Sequence, residues 1–166
     1  NQVFAEPVTS GSTVTITTSD VGFGKSIDSQ GNILSVASNS NVYLYRQNGN
    51  VITTLQTIVS ANLTGNVTSI SMSGDKNWLY VGANNSVHAY TTTDHIHYSL
   101  ANVIQNTHST TNIVKTNEWG NVLIIGAPLA TNTLSTDGNV YVYSRSANAF
   151  TPTQTLSAQY KNQAAK

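Results

Sequence analysis

The sequence contains no cysteine and very little charge. The absence of cysteine excludes disulfide bonds, thiolate zinc sites and cysteine nucleophiles. Charged side chains make up only 8% of the chain, whereas an average soluble domain has about 25%. Seven basic residues balance seven acidic ones, so the formal net charge is zero. The polarity of the surface must therefore come from uncharged side chains.

Charge of one sign and long apolar runs are also missing. Without a cluster of Lys and Arg, nothing in the chain can neutralise a nucleic-acid backbone or an anionic lipid surface. No apolar stretch approaches the roughly 20 residues that span a bilayer, and the first residues do not resemble a signal peptide. The sequence predicts neither nucleic-acid binding nor membrane insertion. Because it begins without Met, we expect a processed mature end or a piece of a longer protein.

Asparagine, serine and threonine take the place of charge. The chain has 20 Asn, 19 Ser and 23 Thr among its 166 residues. Hydrophobic residues account for 39%, and a chain of this length can bury roughly 70% of the surface that it exposes when unfolded. A domain with a real core is expected, with hydroxyl and amide groups on its surface.

Apolar and polar residues alternate with the period of a β-strand. Runs of four to six β-branched or aromatic residues are bounded by Gly, Asn, Asp or Ser, which supply turns. The clearest runs are 41–45, 78–81, 86–90, 122–125 and 140–143. No convincing helical stripe exceeds two turns, so the sequence predicts an all-β protein.

The strands recur in units. Val36, Val81 and Ile125 occupy the same place in successive units and lie 45 and 44 residues apart. This period, with four short strands per unit, is what a propeller blade requires. We expect β-propeller blades of four-stranded antiparallel sheets in repeats over 23–65, 66–110 and 111–158. Residues 1–22 would hold a strand, around 12–18, of a neighbouring blade and a linker, and 159–166 a disordered tail.

Motifs within the units resemble the FG-GAP repeats of integrin-α-like β-propellers. The resemblance covers about residues 14–158 and is strongest in the third unit. It rests on a Phe-Gly pair, an apolar strand that ends in Gly-Ala or Gly-Ala-Pro, and a later strand that carries tyrosine. The residues that carry it are Phe23, Gly24, Tyr45, Gly82, Ala83, Tyr90, Gly126, Ala127, Pro128 and Tyr143.

Calcium-binding members of that family carry an Asp-rich loop in the first hairpin of a repeat. A hard cation such as Ca²⁺ needs several carboxylate oxygens, but each hairpin here, at 28–32, 73–77 and 117–121, offers a single carboxylate. These hairpins are expected to be plain turns. No cofactor is expected.

Catalytic motifs are equally sparse. None of the sequence signatures of a nucleophile elbow, a zinc protease, a P-loop or a dinucleotide fold is present. His95 and His97 would place two imidazoles on one face of a strand, a spacing that suits a metal pair, but no third ligand is near in the sequence. The carboxylates are expected in loops or turns. The sequence therefore predicts a protein that is not an enzyme.

Aromatic residues allow two interpretations. Tyr43 and Tyr45 share one face of a strand, Tyr141 and Tyr143 share another, and Trp78 and Trp119 are expected at equivalent positions of successive repeats. Such residues fill the wedge between adjacent blades. Alternatively, they form a platform on which a sugar ring stacks.

Loops supply the remaining candidate sites. The connection between the second and third strands is longest in the third unit, and in integrin-like propellers this connection lies on the ligand face. The resemblance thus implies a partner-binding loop that includes Asn132, Leu134, Ser135, Thr136 and Asp137. Three Asn-x-Ser/Thr sequons, at Asn62, Asn66 and Asn84, would carry glycans in a eukaryotic secretory route.

Three blades cannot close a propeller, which typically has four to eight. We therefore expect a non-enzymatic structural or adhesion module, extracellular or on a particle surface such as a cell or virion. Its partners would be other protein chains, including copies of itself that complete the ring. The alternative is a carbohydrate-binding lectin on the same fold, and the third hypothesis is a polysaccharide-active enzyme.

Overall fold

The computed structural model describes residues 15–59, 63, 65–105, 112–128 and 138–157. Within these ranges the chain forms twelve strands and no helix. The strands are β1 (Ser26–Gln30), β2 (Ile33–Ala37), β3 (Val42–Asn48), β4 (Val51–Ile58), β5 (Val67–Met72), β6 (Trp78–Ala83), β7 (Ser86–Thr91), β8 (Ser99–Gln105), β9 (Ile113–Thr116), β10 (Val122–Ala127), β11 (Asn139–Ser146) and β12 (Ala149–Ser157). No helix capable of crossing a membrane is found in the described part of the chain.

The strands form three four-stranded antiparallel sheets in simple meander order. We call β1–β4 blade 1, β5–β8 blade 2 and β9–β12 blade 3. This arrangement confirms the all-β fold class and the blades predicted from the sequence, and the ring is not closed within the chain.

The three blades share one hydrogen-bond register. Val36, Val81 and Ile125 each pair with the middle of the first strand of their blade, opposite Ile27, Ile70 and Val114 respectively. The pairing of the third and fourth strands shifts by one residue at the same place in every blade, just before Tyr45, Tyr90 and Tyr143. This register defines the equivalent positions of the three blades.

Blade 2 lies between the other two blades. One apolar cluster joins the faces of blades 1 and 2, with Leu44 and Ile70 among its members. A second cluster joins blades 2 and 3 and includes Tyr80 and Leu123. The core of this protein is therefore a pair of interfaces between stacked sheets rather than a single centre.

Side-chain acceptors on the first strand of one blade bind the backbone of the next. Ser26 Oγ accepts from the N–H of Ile70 at 3.1 Å, and Asp28 Oδ2 accepts from the N–H of Met72 at 2.8 Å. Ser69 and Ser71 repeat the pattern one blade later, because Ser69 Oγ accepts from Val114 and Ser71 Oγ from Thr116. These bonds satisfy strand N–H groups that lack a partner strand on that side.

An arginine and an aromatic cluster close the second interface. The Arg145 guanidinium lies 3.9 Å from the centroid of the Trp78 ring, and it donates to the carbonyl oxygens of Gly120 and Trp119. Phe150 of blade 3 meets both Trp78 and Tyr80 edge-on. The prediction that large aromatic residues pack between blades thus holds for Trp78.

Some sequence-based expectations were wrong. Asp28 lies within β1 rather than in a turn. His95 and His97 lie outside any strand, and His95 has a left-handed φ of 55°. Trp119 is not equivalent to buried Trp78, because it lies in a turn and is 61% exposed.

Other expectations concern the ends of the chain. Residues 15–20 form no strand, and residues 1–14, the rest of the proposed N-terminal strand, lie outside the described residues. The tail after residue 158 and the partner-binding loop also lie outside them. Their predictions stand as predictions.

A glycine marks how closely the first strand of blade 3 approaches blade 2. A Cβ atom on Gly82 would lie 2.6 Å from the backbone oxygen of Asn112 and 2.9 Å from Ser69 Oγ. Gly82→Ala is therefore expected to separate the two blades locally and lower the free energy of unfolding by about 1–3 kcal/mol. Urea unfolding in dilute protein measures the difference.

Gly126 provides a matched control, because it occupies the position of Gly82 in blade 3. A Cβ atom there meets nothing closer than 3.7 Å. Gly126→Ala should leave the unfolding midpoint unchanged. Equal destabilisation by the two substitutions would contradict the interpretation that interblade contact, rather than strand glycine itself, makes Gly82 necessary.

Candidate protein interface

Each end blade leaves one face uncovered. On β2, Ile33, Ser35 and Ala37 are buried against blade 2, whereas the residues between them are only half-buried. On β10 the buried set is shifted by one register position, because Leu123, Ile125 and Ala127 face blade 2. By contrast, every residue of β6 is buried. Blades 1 and 3 therefore expose opposite faces, which we call the blade 1 outer face and the blade 3 outer face.

The blade 3 outer face carries apolar side chains in solvent. Ile113 is 52% exposed, Ile124 42% and Leu156 51%. Val140 lies between Gly126 and Leu156 in the same cross-strand row. Adjacent exposed aliphatic side chains on a sheet face are typical of an interaction surface.

A groove lies on this face at Gly126, which has no side chain to fill it. Gly126 lies in its floor, and Ile113, Pro128, Val140 and Leu156 are among its lining residues. At the equivalent position of blade 2, the backbone beside Gly82 is covered by the residue that precedes β9. The groove is therefore the place where the first strand of a following blade would pack.

The blade 1 outer face is the corresponding surface at the other end of the stack. Ile27 is 70% exposed, and the half-buried side chains of Leu34, Val36 and Tyr43 lie on the same face. The equivalents of Ile27 in blades 2 and 3, Ile70 and Val114, are only 2% and 1% exposed. Ile27 is thus a core residue of the repeat that lacks its covering blade.

The segment before β1 attaches to the rim of this face through a carboxylate. Asp20 accepts hydrogen bonds from the Tyr43 hydroxyl, the Asn41 amide and the Ser38 hydroxyl. The bond from Tyr43 contributes most to holding the pKa of Asp20 below its usual value. Phe23 meets the Tyr43 ring edge-on at 5.4 Å. These contacts fix the approach to blade 1 and leave Ile27 uncovered.

The series of interblade acceptors stops at blade 3. Its first strand has Ile113 and Lys115 at the positions that Ser26 and Asp28 occupy in blade 1. An alkyl side chain cannot accept a hydrogen bond, and neither can a lysine ammonium. Contact at the blade 3 outer face must therefore depend on apolar burial more than the two internal interfaces do.

The residues of the FG-GAP-like motif occupy repeated structural positions. Gly24 has a φ of 89° and donates its N–H to the carbonyl of Ala37, so it closes the loop that enters β1. The Gly-Ala pairs end the second strands of blades 2 and 3, where Gly82, Ala83, Gly126 and Ala127 lie. Pro128 begins the turn that follows. All these residues shape blades, and none contributes reactive chemistry.

The tyrosines of the motif are packing residues. Tyr45 and Tyr90 are 5% and 3% exposed, and Tyr143 is half-buried against the second apolar cluster. Tyr43 and Tyr45 stack on each other with centroids 6.3 Å apart. Burial raises the pKa of Tyr45, as it does that of Tyr143.

The sequons differ in accessibility. Asn66 is exposed at the start of β5, and Thr68 Oγ1, two residues later, donates to the carbonyl of Asn112 at 2.6 Å. Asn84 lies in a two-residue hairpin turn whose following Ser86 is fully buried. Asn62 lies outside the described residues. Of the two described sequons, Asn66 has the more accessible side chain.

One exposed turn of the described chain brings three titratable side chains together. Asp94 accepts from the N–H groups of Ile96 and His97 and from the His97 ring at 3.0 Å, and these bonds hold its pKa well below the usual value. His95 Nε2 lies 2.9 Å from Asn77 Oδ1. Among the described residues, no three His, Asp or Glu side chains converge as metal ligands would. The hydrogen bonds that stabilise this turn account for the grouping of its titratable side chains.

Sequence reasoning missed the outer faces as sites. The alternation of apolar and polar residues predicted the strands of these faces, but it does not indicate which face of a sheet an adjacent blade covers. A signal was nevertheless present, since the Ser and Asp of blade 1 are replaced by Ile113 and Lys115 in blade 3. This change in an otherwise regular repeat marks the end of the interblade series.

Comparison with known proteins supports the architecture. No protein-family model and no curated protein matches the sequence. Sqt1 of Saccharomyces cerevisiae is similar in structure, with a TM-score of 0.71 and 13% identity over 91% of this chain and 39% of that one. A Lactobacillus plantarum protein gives a TM-score of 0.59 and 17% identity over 75% of this chain and 38% of its own.

A Bacteroides fragilis protein with the provisional name 6-phosphogluconolactonase is similar as well. Its TM-score is 0.60 and its identity 15%, over 78% of this chain and 37% of that one. The present chain thus spans less than two fifths of the length of each of these three structures. The neighbours are β-propeller-like, and at such low identity they show the fold alone.

Proposed function

We propose that this protein is a non-enzymatic structural module that assembles with other protein chains through the outer faces of blades 1 and 3. The observation that carries the proposal is the exposure of Ile27, Ile113 and Ile124 at repeat positions that are buried, or face a neighbour, elsewhere in the stack. Burying apolar surface contributes roughly 25 cal/mol per Å². Burial of the exposed apolar side chains on the two outer faces would therefore drive association.

The composition supports such a role at an extracellular cell or particle surface, because the polar side chains of the chain are mostly Asn, Ser and Thr rather than charged residues. With charged residues at 8% of the chain and zero formal net charge, little electrostatic repulsion opposes close packing of chains. The FG-GAP-like motifs of the repeats add an integrin-like classification to this proposal.

Carbohydrate binding is the alternative proposal. It is favoured by one observation, the Trp119 ring, which is 61% exposed in the turn before β10. Among the other aromatic candidates, Tyr45 and Trp78 are 5% and 6% exposed, so their rings are engaged in packing. A glycan array with wild-type protein and Trp119→Ala distinguishes the two proposals, since only a lectin gives a sugar-specific signal that the substitution removes.

Site-specific photo-crosslinking tests the proposed function. p-Benzoylphenylalanine is placed at position 27 or 124, one on each outer face, in the full chain within the cells that produce it. Irradiation should give discrete adducts of higher mass, and mass spectrometry of the adducts identifies the partner chain. Position 100 is the matched control, because Leu100 is 49% exposed but lies on β8 of the covered blade 2.

The pattern of adducts decides the outcome. Protein adducts from positions 27 and 124, without adducts from position 100, support assembly through the outer faces. Equal labelling at all three positions, or no protein adduct at any of them, overturns the proposal.

A further inference from the structure

The two outer faces are complementary halves of one repeating interface. The blade 1 outer face is the face that blades 2 and 3 turn toward the preceding blade, since Ile27 is equivalent to Ile70 and Val114. The blade 3 outer face is the face that blades 1 and 2 turn toward the following blade. One chain therefore carries both surfaces that a single interblade contact requires, at opposite ends of its stack.

We propose that a second copy of this chain occupies both faces, head to tail, to form a closed ring of six blades. This inference rests on the proposed function and names its partner. Two copies of three blades fall within the four to eight blades of known propellers, whereas one copy or three copies do not. A two-fold axis relates the copies, so the same contact occurs twice and neither outer face remains uncovered.

The internal interfaces show how the contact is made. Strand β1 of the second copy lies in the groove at Gly126, as the chain leading into β9 lies against Gly82. Ile27 then takes the place of Val114, which is 1% exposed in the second apolar cluster. Ile124 takes the place of Tyr80, because their partners Lys115 and Ser71 directly follow the equivalent residues Val114 and Ile70.

At one position the polar groups of the new contact agree with this arrangement. Lys115 offers no acceptor for the strand N–H that would face it, which by analogy with Thr116 belongs to Ser29 of the second copy. That N–H already has an acceptor within its own chain, because Ser29 donates to Asp28 Oδ1 at 2.8 Å. At this position the outer faces can meet without leaving a buried donor unsatisfied.

Light scattering coupled to size exclusion tests the proposal on the purified full chain. The chain has a mass of 17.7 kDa, and the wild-type protein is expected at about twice this mass. Ile27→Glu and Ile124→Glu each place a carboxylate in both copies of the contact, so each should raise the dimer dissociation constant at least tenfold. Leu100→Glu, on the covered blade, should remain a dimer.

The variants must keep their fold for this comparison. Ile124 pairs with Lys115 on the same face, so a glutamate there gains an opposite charge across the strand in the monomer. Far-ultraviolet circular dichroism checks each variant. Ile27→Thr and Leu156→Glu serve as second variants for the two faces, since Leu156 is 51% exposed on the edge strand.

A mixture of the two variants identifies the head-to-tail arrangement. Each heterodimer of Ile27→Glu with Ile124→Glu has one contact with both wild-type faces, so mixing should restore part of the dimer. A dimer formed through one face alone would be insensitive to one of the two substitutions, and this result overturns the proposal. A wild-type mass of 17.7 kDa at all concentrations also overturns it. In that case, photo-adducts with a different protein at positions 27 and 124 would leave the proposed function standing.

Discussion

Tyr80→Ala is expected to lower the free energy of unfolding by about 3–5 kcal/mol. The Tyr80 ring is fully buried between blades 2 and 3, where it stacks on Trp78 and meets Phe150 edge-on at 5.9 Å. Its removal leaves a cavity that rigid sheets cannot close. For a chain of this size the thermal midpoint should fall by roughly 10 °C or more, as measured by circular dichroism.

Two control variants distinguish the contribution of the Tyr80 ring to stability from the contributions of its repeat position and of its hydroxyl. In protein diluted to the monomer, Ile124→Ala alters the equivalent position of blade 3, which is 42% exposed, and should lower the free energy of unfolding by less than about 1 kcal/mol. Tyr80→Phe removes only the hydroxyl bond to the Gly120 carbonyl. That carbonyl still accepts from Arg145 Nε at 2.8 Å, so the expected loss is about 1 kcal/mol. If Tyr80→Ala were no worse than Ile124→Ala, blades 2 and 3 would not pack as described.

Raising the pH from 10 to 12 is expected to unfold the protein. Burial raises the pKa values of Tyr80, Tyr90 and Tyr98 to about 12. A tyrosine in the unfolded chain ionises near pH 10, so between these values the unfolded state binds fewer protons than the folded state. Stability must then fall as pH rises. Each tyrosine removes roughly 2–3 kcal/mol by pH 12, and three together approach the total stability of a typical domain.

Thermal unfolding at pH 8 to 12, with tyrosinate absorbance recorded in parallel, measures this effect. Tyr90→Phe is the informative variant, because the Tyr90 hydroxyl is buried and has no hydrogen-bond partner among the described residues. The variant should be as stable as wild type at pH 8 and should unfold at a higher pH. A thermal midpoint that stays constant up to pH 12 would show that these hydroxyls reach solvent.

Much of the blade architecture could be predicted from local sequence. Alternation located the strands around Val36, Val81 and Ile125, and their spacing gave the number of blades. Alternation gave wrong predictions for residues that lie in turns rather than in strands. His95 adopts a left-handed conformation and interrupts the strand expected there, and Trp119 lies in a turn that only resembles the start of β6.

The candidate interface was less accessible to sequence reasoning. Ile27, Ile70 and Val114 look alike in the sequence, since each is an aliphatic residue at the same place in its repeat. Only the stacking of blades makes two of them core and leaves Ile27 70% exposed. The interpretation that favoured loops as binding sites placed its residues outside the described part of the chain, so it stays a prediction.

The sequence by itself determined that this protein is built of repeated four-stranded β-units, because a period of two within strands and of about 45 residues between them is a local property of the chain. Only the tertiary structure decided which surfaces are core and which are open. Whether a blade face is buried depends on the adjacent blade that covers it. Each end blade has no adjacent blade on one side, and its own residues cannot cover that face. For this reason the same repeat position is packed in Tyr80 and exposed in Ile124.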